Sequence, residues 1–312
     1  MKNITFVIAV YNEEDSIPHL MEMYDSLWSK LNANVLFVND GSNDNTLASL
    51  RSYAQKSTKI GYVNLSRNFG KEQAIAAGLS QVPDDQNVVI IDGDGQHTPE
   101  AVSKLIEHME ADPALDIVFG VRETREYQGF LDRTFSKGFY SVINLMLSHP
   151  LDNRLGDFFL AKSSILPALK MFRDSKLFWK GIYSWVGFNR AVVPVTIEDR
   201  REGKSKFSFF KKLALAIDGV VWLTKVPLYA ISILGLVIAS ISFLFALWFV
   251  GQWFLTGVSV PGFYTLAVMQ AFVAGVMMLS LGVIALYMAV IFENTSSKPG
   301  FLLSSENKKP KW

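Results

Sequence analysis

Residues 88–99 read Val88-Val89-Ile90-Ile91-Asp92-Gly93-Asp94-Gly95-Gln96-His97-Thr98-Pro99, and the order of those residue types decides the fold. Four apolar β-branched residues in succession form a hydrophobic strand. Two Asp-Gly pairs then turn the chain tightly enough for both carboxylates to face one point. Thr98-Pro99 supplies a helix cap followed by a proline in the first turn. Strand, acidic turn and helix in immediate sequence are part of a βαβ unit.

The same rhythm extends on both sides. Strands are predicted over Asn3 to Val10, Val35 to Asn39, Ile60 to Leu65, Val88 to Ile91 and Ile117 to Gly120, with helices over Ser16 to Leu31, Asn45 to Gln55, Lys71 to Ser80 and Pro99 to Glu110. Their alternation predicts an α/β domain with a mainly parallel, Rossmann-like sheet. In such sheets the ligand crevice lies outside the carboxyl ends of the strands. The loops there are polar: Tyr11-Asn12-Glu13-Glu14, Asp40-Gly41-Ser42, Ser66-Arg67-Asn68-Phe69-Gly70-Lys71 and Asp92-Gly93-Asp94-Gly95-Gln96. From Leu131 to Ile197 the pattern is mixed, with a helix to Leu147, a hairpin-like segment over Asp157 to Lys162 and a helix around Ile165 to Phe172.

Half of the 312 residues are hydrophobic, and the excess is local. Val226 to Phe292, 67 residues, contain no Asp, Glu, Lys, Arg or His, whereas residues 1–225 carry 27 of the 29 acids and 26 of the 30 bases. The stretch divides into two spans, Pro227 to Val250 and Leu266 to Phe292, each longer than the ~20 residues that cross a bilayer core. Lys225 before them and Lys298, Lys308, Lys309 and Lys311 after them predict that both ends stay cytoplasmic, with the connector outside. The predicted organisation is a cytoplasmic domain over 1–199, a basic amphipathic juxtamembrane segment over 200–225, two transmembrane helices within 226–292 and a basic tail over 293–312.

A net charge of +1, with no basic surface interleaved with aromatics, gives no support for a nucleic-acid partner. The absence of cysteine excludes disulfides, thiolate metal sites and cysteine nucleophiles. The apolar run Ile4 to Val10 meets Glu13 and Glu14, so it is not a secretory signal. His19, His97, His108 and His149 have no metal-ligand spacing, and His97 adjoins the acidic loop.

Oxygen donors such as Asp92 and Asp94 suit Mg²⁺ or Mn²⁺, which complete their shells with water and substrate phosphates; turn formation alone is the competing explanation of the two Asp-Gly pairs. The first loop has no glycine and two acids, which is unlike a dinucleotide-binding Gly-x-Gly-x-x-Gly, and no P-loop motif is present. A bound nucleotide would therefore have its phosphates held by metal and side chains.

The blocks Val10-Tyr11-Asn12-Glu13-Glu14, Val38-Asn39-Asp40-Gly41-Ser42, Arg67-Asn68-Phe69-Gly70-Lys71, Asp92-Gly93-Asp94-Gly95-Gln96, Gly156-Asp157-Phe158, Lys180-Gly181-Ile182-Tyr183-Ser184-Trp185-Val186-Gly187 and Arg200-Arg201-Glu202-Gly203-Lys204-Ser205-Lys206-Phe207 carry a resemblance across nearly the whole chain. It resembles the family 2 glycosyltransferases of GT-A fold, and among them the polyprenyl-phosphate (bactoprenol) glucosyltransferases related to dolichyl-phosphate mannose synthase. It departs from their pattern at Ala9, where proline is usual, and at Ala285-Leu286-Tyr287-Met288, where close relatives often carry Gly-Glu-Tyr.

The resemblance implies inverting transfer of a hexose, with glucose preferred, from a UDP-sugar to polyprenyl (undecaprenyl) phosphate at the inner face of the plasma membrane, to make a lipid-linked donor for cell-surface glycosylation. UDP-N-acetylglucosamine and GDP-mannose are the alternative donors. Tyr11, Asn12, Glu13, Asp40, Lys71, Asp92 and Gln96 would bind the nucleotide sugar, and Asp92, Asp94 and Gln96 a Mg²⁺ or Mn²⁺ ion. Asp157, Asp94 and Arg200 would be catalytic. Arg200, Ser205 and Lys206 would grip the acceptor phosphate, a role for which Arg122 and Arg133 are weaker candidates, each equally readable as a surface arginine. Asp157 is the base by resemblance, yet a phosphate monoester with a second pKa near ~6 is already mostly a dianion at neutral pH. Positioning of sugar or acceptor is therefore its predicted role.

The expected partners are the UDP-sugar, the polyprenyl phosphate, membrane lipids, a flippase and further copies of the chain, a tetramer by resemblance. A processive polysaccharide synthase would carry Gln-x-x-Arg-Trp and more spans, and this chain has neither. An inactive nucleotide-sugar sensor or flippase scaffold is the rival of another class, against which Asp92, Asp94, Asp157 and Arg200 stand.

Overall fold

The computed structural model describes residues 2–123, 152, 154–172, 177, 179–196, 226–256, 262–295 and 298–312. The predicted helix to Leu147, the basic stretch from Arg200 and the candidate residues Arg133, Arg200, Ser205 and Lys206 lie outside the described residues. Met1–Phe207 together with Ser297–Trp312 form one compact unit and Ser208–Ser296 a second.

In the first unit the order is β1 (Ile4–Val10), α1 (Ser16–Leu31), β2 (Asn34–Asn39), α2 (Thr46–Lys56), β3 (Ile60–Asn64), α3 (Lys71–Gln81), β4 (Asn87–Asp92), α4 (Pro99–Ala111), β5 (Ile117–Arg122), β6 (Phe159–Ala161), a 3₁₀ turn (Ser163–Ile165), α5 (Leu166–Leu169), α6 (Trp179–Trp185) and β7 (Arg190–Val195). The strands form one sheet in the order β3-β2-β1-β4-β6-β5-β7. All neighbouring pairs are parallel except those of β6, which runs antiparallel between β4 and β5. Every residue of β2, and all of β1 but Ala9, is buried, the signature of strands covered on both faces by crossover helices.

The helices form where the apolar period dictates. Ile17, Leu20, Tyr24, Leu27 and Trp28 give α1 a single buried stripe, and Asn32 ends the helix in the left-handed conformation. Tyr24 stacks on Trp28 at 5.3 Å between ring centroids, and Phe6 of β1 meets Tyr24 edge-on at 5.9 Å. Thr98 caps α4 by accepting the Ala101 N–H at 3.3 Å, with Pro99 in the first turn.

Two expectations are corrected. Residues 157–162 form no hairpin, because β6 finds its partners in β4 and β5 rather than within its own segment. The helix predicted around Ile165 to Phe172 is a 3₁₀ turn and a single α-turn ending at Leu169. In addition, residues 302–311 lie along the outer edge of β3, with antiparallel bridges Tyr62–Lys308 and Leu65–Leu303.

The second unit holds α7 (Val226–Thr256) and α8 (Phe263–Thr295). Windows of each, Val226–Phe245 and Phe272–Phe292, are long and apolar enough to cross a membrane and have no part buried within the protein. Leu236, Phe243 and Leu281 are all more than half exposed. Leucine and phenylalanine exposed along a helix are side chains that a lipid solvent accommodates better than water. The hydroxyls of Ser232, Ser240 and Ser280 bond back to the carbonyl four residues earlier, which satisfies them without water.

Candidate active site

The strand order reverses between β1 and β4, and the loops leaving their carboxyl ends border the crevice expected at such a switch point. Antiparallel β6 adds to it, because Phe159 pairs with Ile90 near the end of β4, placing Asp157 at the same edge of the sheet. Four elements thus deliver polar side chains to one place: Asp92 from β4, Lys71 from the first turn of α3, His97 from the loop before α4, and Asp157.

Lys71 is the centre of this cluster. Its Nζ lies 2.7 Å from Asp92 Oδ1 and 2.8 Å from Asp157 Oδ2. Burial alone would lower the Lys71 pKa, but the carboxylates of Asp92 and Asp157 outweigh it and hold the ammonium well above its ordinary range. His97 Nε2 stands 3.6 Å from the other oxygen of Asp92, and its ring stacks on Phe158 at 4.2 Å. Burial pushes the Asp92 carboxyl up, yet His97 and Lys71 prevail and keep it far below the usual carboxylate range. The His97 carbonyl accepts the Tyr24 hydroxyl at 2.8 Å, which anchors this loop to α1.

Glu72 follows Lys71 and turns toward α6. Its carboxylate meets the Trp179 backbone N–H at 3.4 Å, and the Trp179 indole donates to the Glu72 carbonyl at 3.0 Å. Burial first, and then the Asp157 charge, push the Glu72 carboxyl up to about 7. Tyr183, also on α6, packs against Phe119 and Phe159 at 5.1 Å and stacks on Trp179 at 5.6 Å.

The loops that follow β1 and β2 are braced by backbone amides. Asp40 is buried and accepts the N–H groups of Phe69 (2.7 Å) and Gly70 (2.9 Å), so it holds the loop that leads to Lys71. Burial raises its pKa in spite of those bonds and the nearby Arg67. Gly41, at φ +66°, has no room for a side chain, since a Cβ would sit 2.3 Å from the Arg67 carbonyl carbon. Tyr11 is exposed, Asn12 has φ 53°, and the Glu13 N–H donates to Thr46 Oγ1 at 2.9 Å.

Asp94 Oδ1 accepts the Gln96 N–H at 3.1 Å, which closes the acidic turn on itself. Among the described residues no group of three or more His, Asp or Glu is assembled for a metal. The donor chemistry nevertheless fits a hard divalent cation, because the loop offers carboxylates at positions 92 and 94 and an amide oxygen at position 96. A cation taking Asp92 would share that carboxylate with Lys71. Arg122 lies at the exposed end of β5.

The cluster therefore joins Asp92, Lys71 and Asp157 directly, and sets Tyr11, Asn12, Glu13 and Asp40 on adjoining loops. Glu72 and Trp179 are its additions to the residues singled out in the sequence, and Tyr183 gains a place beside them. An acid in a first helical turn reads as an ordinary complement to the helix dipole. The quoted block Lys180 to Gly187, which overlaps α6, is the sequence signal that pointed there.

A model of "Glycosyl transferase family 2" matches residues 5–169. An uncharacterized glycosyltransferase of Synechocystis sp. is 34% identical over 305 residues, covering 96% of this chain and 94% of that protein. The bactoprenol glucosyl transferase of Shigella phage SfX is 33% identical over 97% of this chain and 99% of its own length. The prophage bactoprenol glucosyl transferase homolog of Escherichia coli K12 is 30% identical over 98% and 99%. Among solved structures, glucosyl-3-phosphoglycerate synthase from Mycobacterium tuberculosis in complex with Mn²⁺, UDP-glucose and phosphoglyceric acid superposes with a TM-score of 0.53 at 17% identity, covering 70% of this chain and 78% of that one. That likeness establishes the GT-A fold.

Proposed function

The chain belongs to glycosyl transferase family 2, and we propose that it transfers a hexose, glucose by preference, from UDP to polyprenyl phosphate with inversion at the anomeric carbon. Near full-length similarity to bactoprenol glucosyl transferases supports the lipid phosphate as acceptor. The observation that carries the proposal is the bridge from Asp92 through Lys71 to Asp157, which ties the acidic strand-end loop to the segment before β6.

In the proposed reaction an oxygen of the lipid phosphate attacks the anomeric carbon as the bond from that carbon to the β-phosphate oxygen breaks, and UDP departs with the electron pair. Tyr11, Asn12, Glu13 and Asp40 form and brace the nucleotide side. Lys71 keeps Asp157 at the edge of the crevice, where it orients the sugar or acceptor. The acceptor needs little deprotonation, being mostly a dianion near neutral pH with a second pKa of about 6. Mg²⁺ or Mn²⁺ held by Asp92, Asp94 and Gln96 would neutralise charge on the diphosphate. Arg200, Ser205 and Lys206, with Arg122 and Arg133, are proposed to hold the acceptor phosphate, where a guanidinium pairs bidentately with its oxygens. The two apolar helices are proposed to hold the chain in the plasma membrane, both ends cytoplasmic. Self-association and a flippase partner are part of the same proposal.

The test offers membranes containing the full chain labelled UDP-glucose, UDP-N-acetylglucosamine and GDP-mannose in turn, with polyprenyl phosphate, followed by counting of lipid-extractable label. Label from UDP-glucose, lost in Asp94→Ala while membrane insertion persists, supports the proposal. Label from another donor alone moves the sugar assignment, and undiminished transfer in metal-chelated membranes overturns the metal assignment.

A further inference from the structure

Residues 302–311 do more than cover an open edge. Tyr62 and Lys308 exchange both backbone hydrogen bonds, at 2.6 and 2.9 Å. Ser66 N–H donates to Leu302 (2.9 Å), Ser304 N–H to Asn64 (2.8 Å) and Lys311 N–H to Thr58 (2.8 Å). Gly61 permits this approach, since a Cβ there would stand 2.4 Å from both the Lys308 carbonyl oxygen and Pro310. Covering an edge strand protects it from other chains, and backbone pairing alone would do that.

Inward from this edge runs a line of side-chain hydrogen bonds that edge protection does not require. Asn64 Nδ2 donates to Ser304 Oγ at 3.1 Å, and the Asn64 N–H donates to Asn307 Oδ1 at 2.8 Å. Asn39 Nδ2 donates to Asn64 Oδ1 at 2.7 Å. Ser42 donates to Asn39 Oδ1 through its hydroxyl (2.5 Å) and its N–H (3.3 Å). The Asn12 N–H donates to Ser42 Oγ at 2.9 Å, and the Asn43 N–H returns to Asn12 Oδ1 at 2.9 Å. In the four links Asn12 N–H to Ser42, Ser42 hydroxyl to Asn39, Asn39 to Asn64 and Asn64 to the Ser304 hydroxyl the donor is each time on the loop side, so these bonds polarise one another in one direction. Asn39 is buried, and its amide would carry a desolvation penalty if either bond were lost. At the far end the line holds Asn12 in its left-handed conformation.

We propose that the C-terminal segment is a positioning strap, in which Ser304, Asn64 and Asn39 fix the backbone of Asn12 and Ser42 and so set the affinity for the nucleotide donor. The proposal rests on the assignment of the donor to those loops. Ser304 acts through Asn64 and touches no substrate.

The experiment uses the purified full-length protein, with UDP binding measured by calorimetry and steady-state kinetics measured against donor. Ser304→Ala and Asn64→Ala are each expected to raise donor KM and weaken UDP binding about threefold to tenfold, the value of one hydrogen bond, with kcat changed less than about twofold. The double variant should be no weaker than Asn64→Ala, because links in series do not add, and Ser304→Thr should restore wild-type affinity. Tyr11→Ala and Asn12→Ala serve as controls for the donor loops. If these weaken UDP binding while Ser304→Ala, in protein of unchanged melting temperature, does not, the strap is overturned and the donor assignment survives. UDP binding unchanged by Tyr11→Ala and Asn12→Ala overturns both.

Discussion

Lys71 Nζ lies 2.8 Å from Asp157 Oδ2, and the same ammonium reaches Asp92 at 2.7 Å, so one cation joins two carboxylates that stand 65 positions apart in the chain. Removing it would leave both acids facing each other across a partly buried space, with their mutual repulsion no longer compensated. Lys71→Met is predicted to lower kcat/KM for the donor by at least about a hundredfold, with Lys71→Arg retaining part of the loss. Steady-state kinetics on membranes with matched protein content check this.

Asp157→Asn separates positioning from proton abstraction. A true general base contributes about 10²–10⁴-fold, and its loss removes the acidic limb of the pH–rate profile. The positioning role predicts a fall in kcat below about a hundredfold with the limb retained. A lost acidic limb with normal acceptor binding would make Asp157 a base.

Glu72 gives a stability signature. Its carboxyl is pushed up to about 7 in the folded protein, above the ordinary value of an unfolded chain. A raised carboxyl pKa contributes stability that is full below the unfolded value and is lost as pH rises through the folded one. Wild-type protein should therefore lose roughly 2–3 kcal/mol between pH 4.5 and pH 7.5 from this group, and Glu72→Gln should flatten that part of the profile. Denaturant melts across that range on solubilised protein report it.

Much of this architecture is legible in the chain because its cause is local. The helix over Ser16–Leu31 matches its predicted bounds, since one apolar stripe and a left-handed Asn32 define it. The short β6, by contrast, has both partners far away in sequence, so Asp157 to Lys162 resembled a hairpin. The strand Arg190–Val195 and the docking of residues 302–311 escaped for the same reason: the first pairs with the distant β5, and nothing in Leu302 to Lys311 signals a β3 partner. In the site, Asp92, Lys71 and Asp157 stand in quoted motifs, but nothing in the sequence says that Lys71 binds both acids, or that Glu72 sits beneath α6.

Gly41 tests the bracing of the loops proposed to take the donor. Its φ of +66° disfavours any side chain, and a Cβ would press on the Arg67 backbone. Gly41→Ala is predicted to cost about 1–3 kcal/mol and to raise donor KM by displacing the Asp40 to Gly70 contacts. Thermal melts and donor titration together read both effects.

The chain has no cysteine, so a single introduced thiol reports topology. Thr256→Cys, at the end of α7, is predicted to react with a membrane-impermeant maleimide added to intact cells. Ser57→Cys, after α2, should react only once the cells are opened. The reverse pattern would invert the proposed orientation.

The most direct test of the central claim is mass spectrometry of the lipid extract after purified full-length protein is incubated with UDP-glucose, polyprenyl phosphate and Mg²⁺ or Mn²⁺. The prediction is a polyprenyl phosphate heavier by one hexosyl residue, formed together with an equal amount of UDP and absent with Asp94→Ala. Consumption of UDP-glucose with the lipid phosphate left unmodified would contradict it.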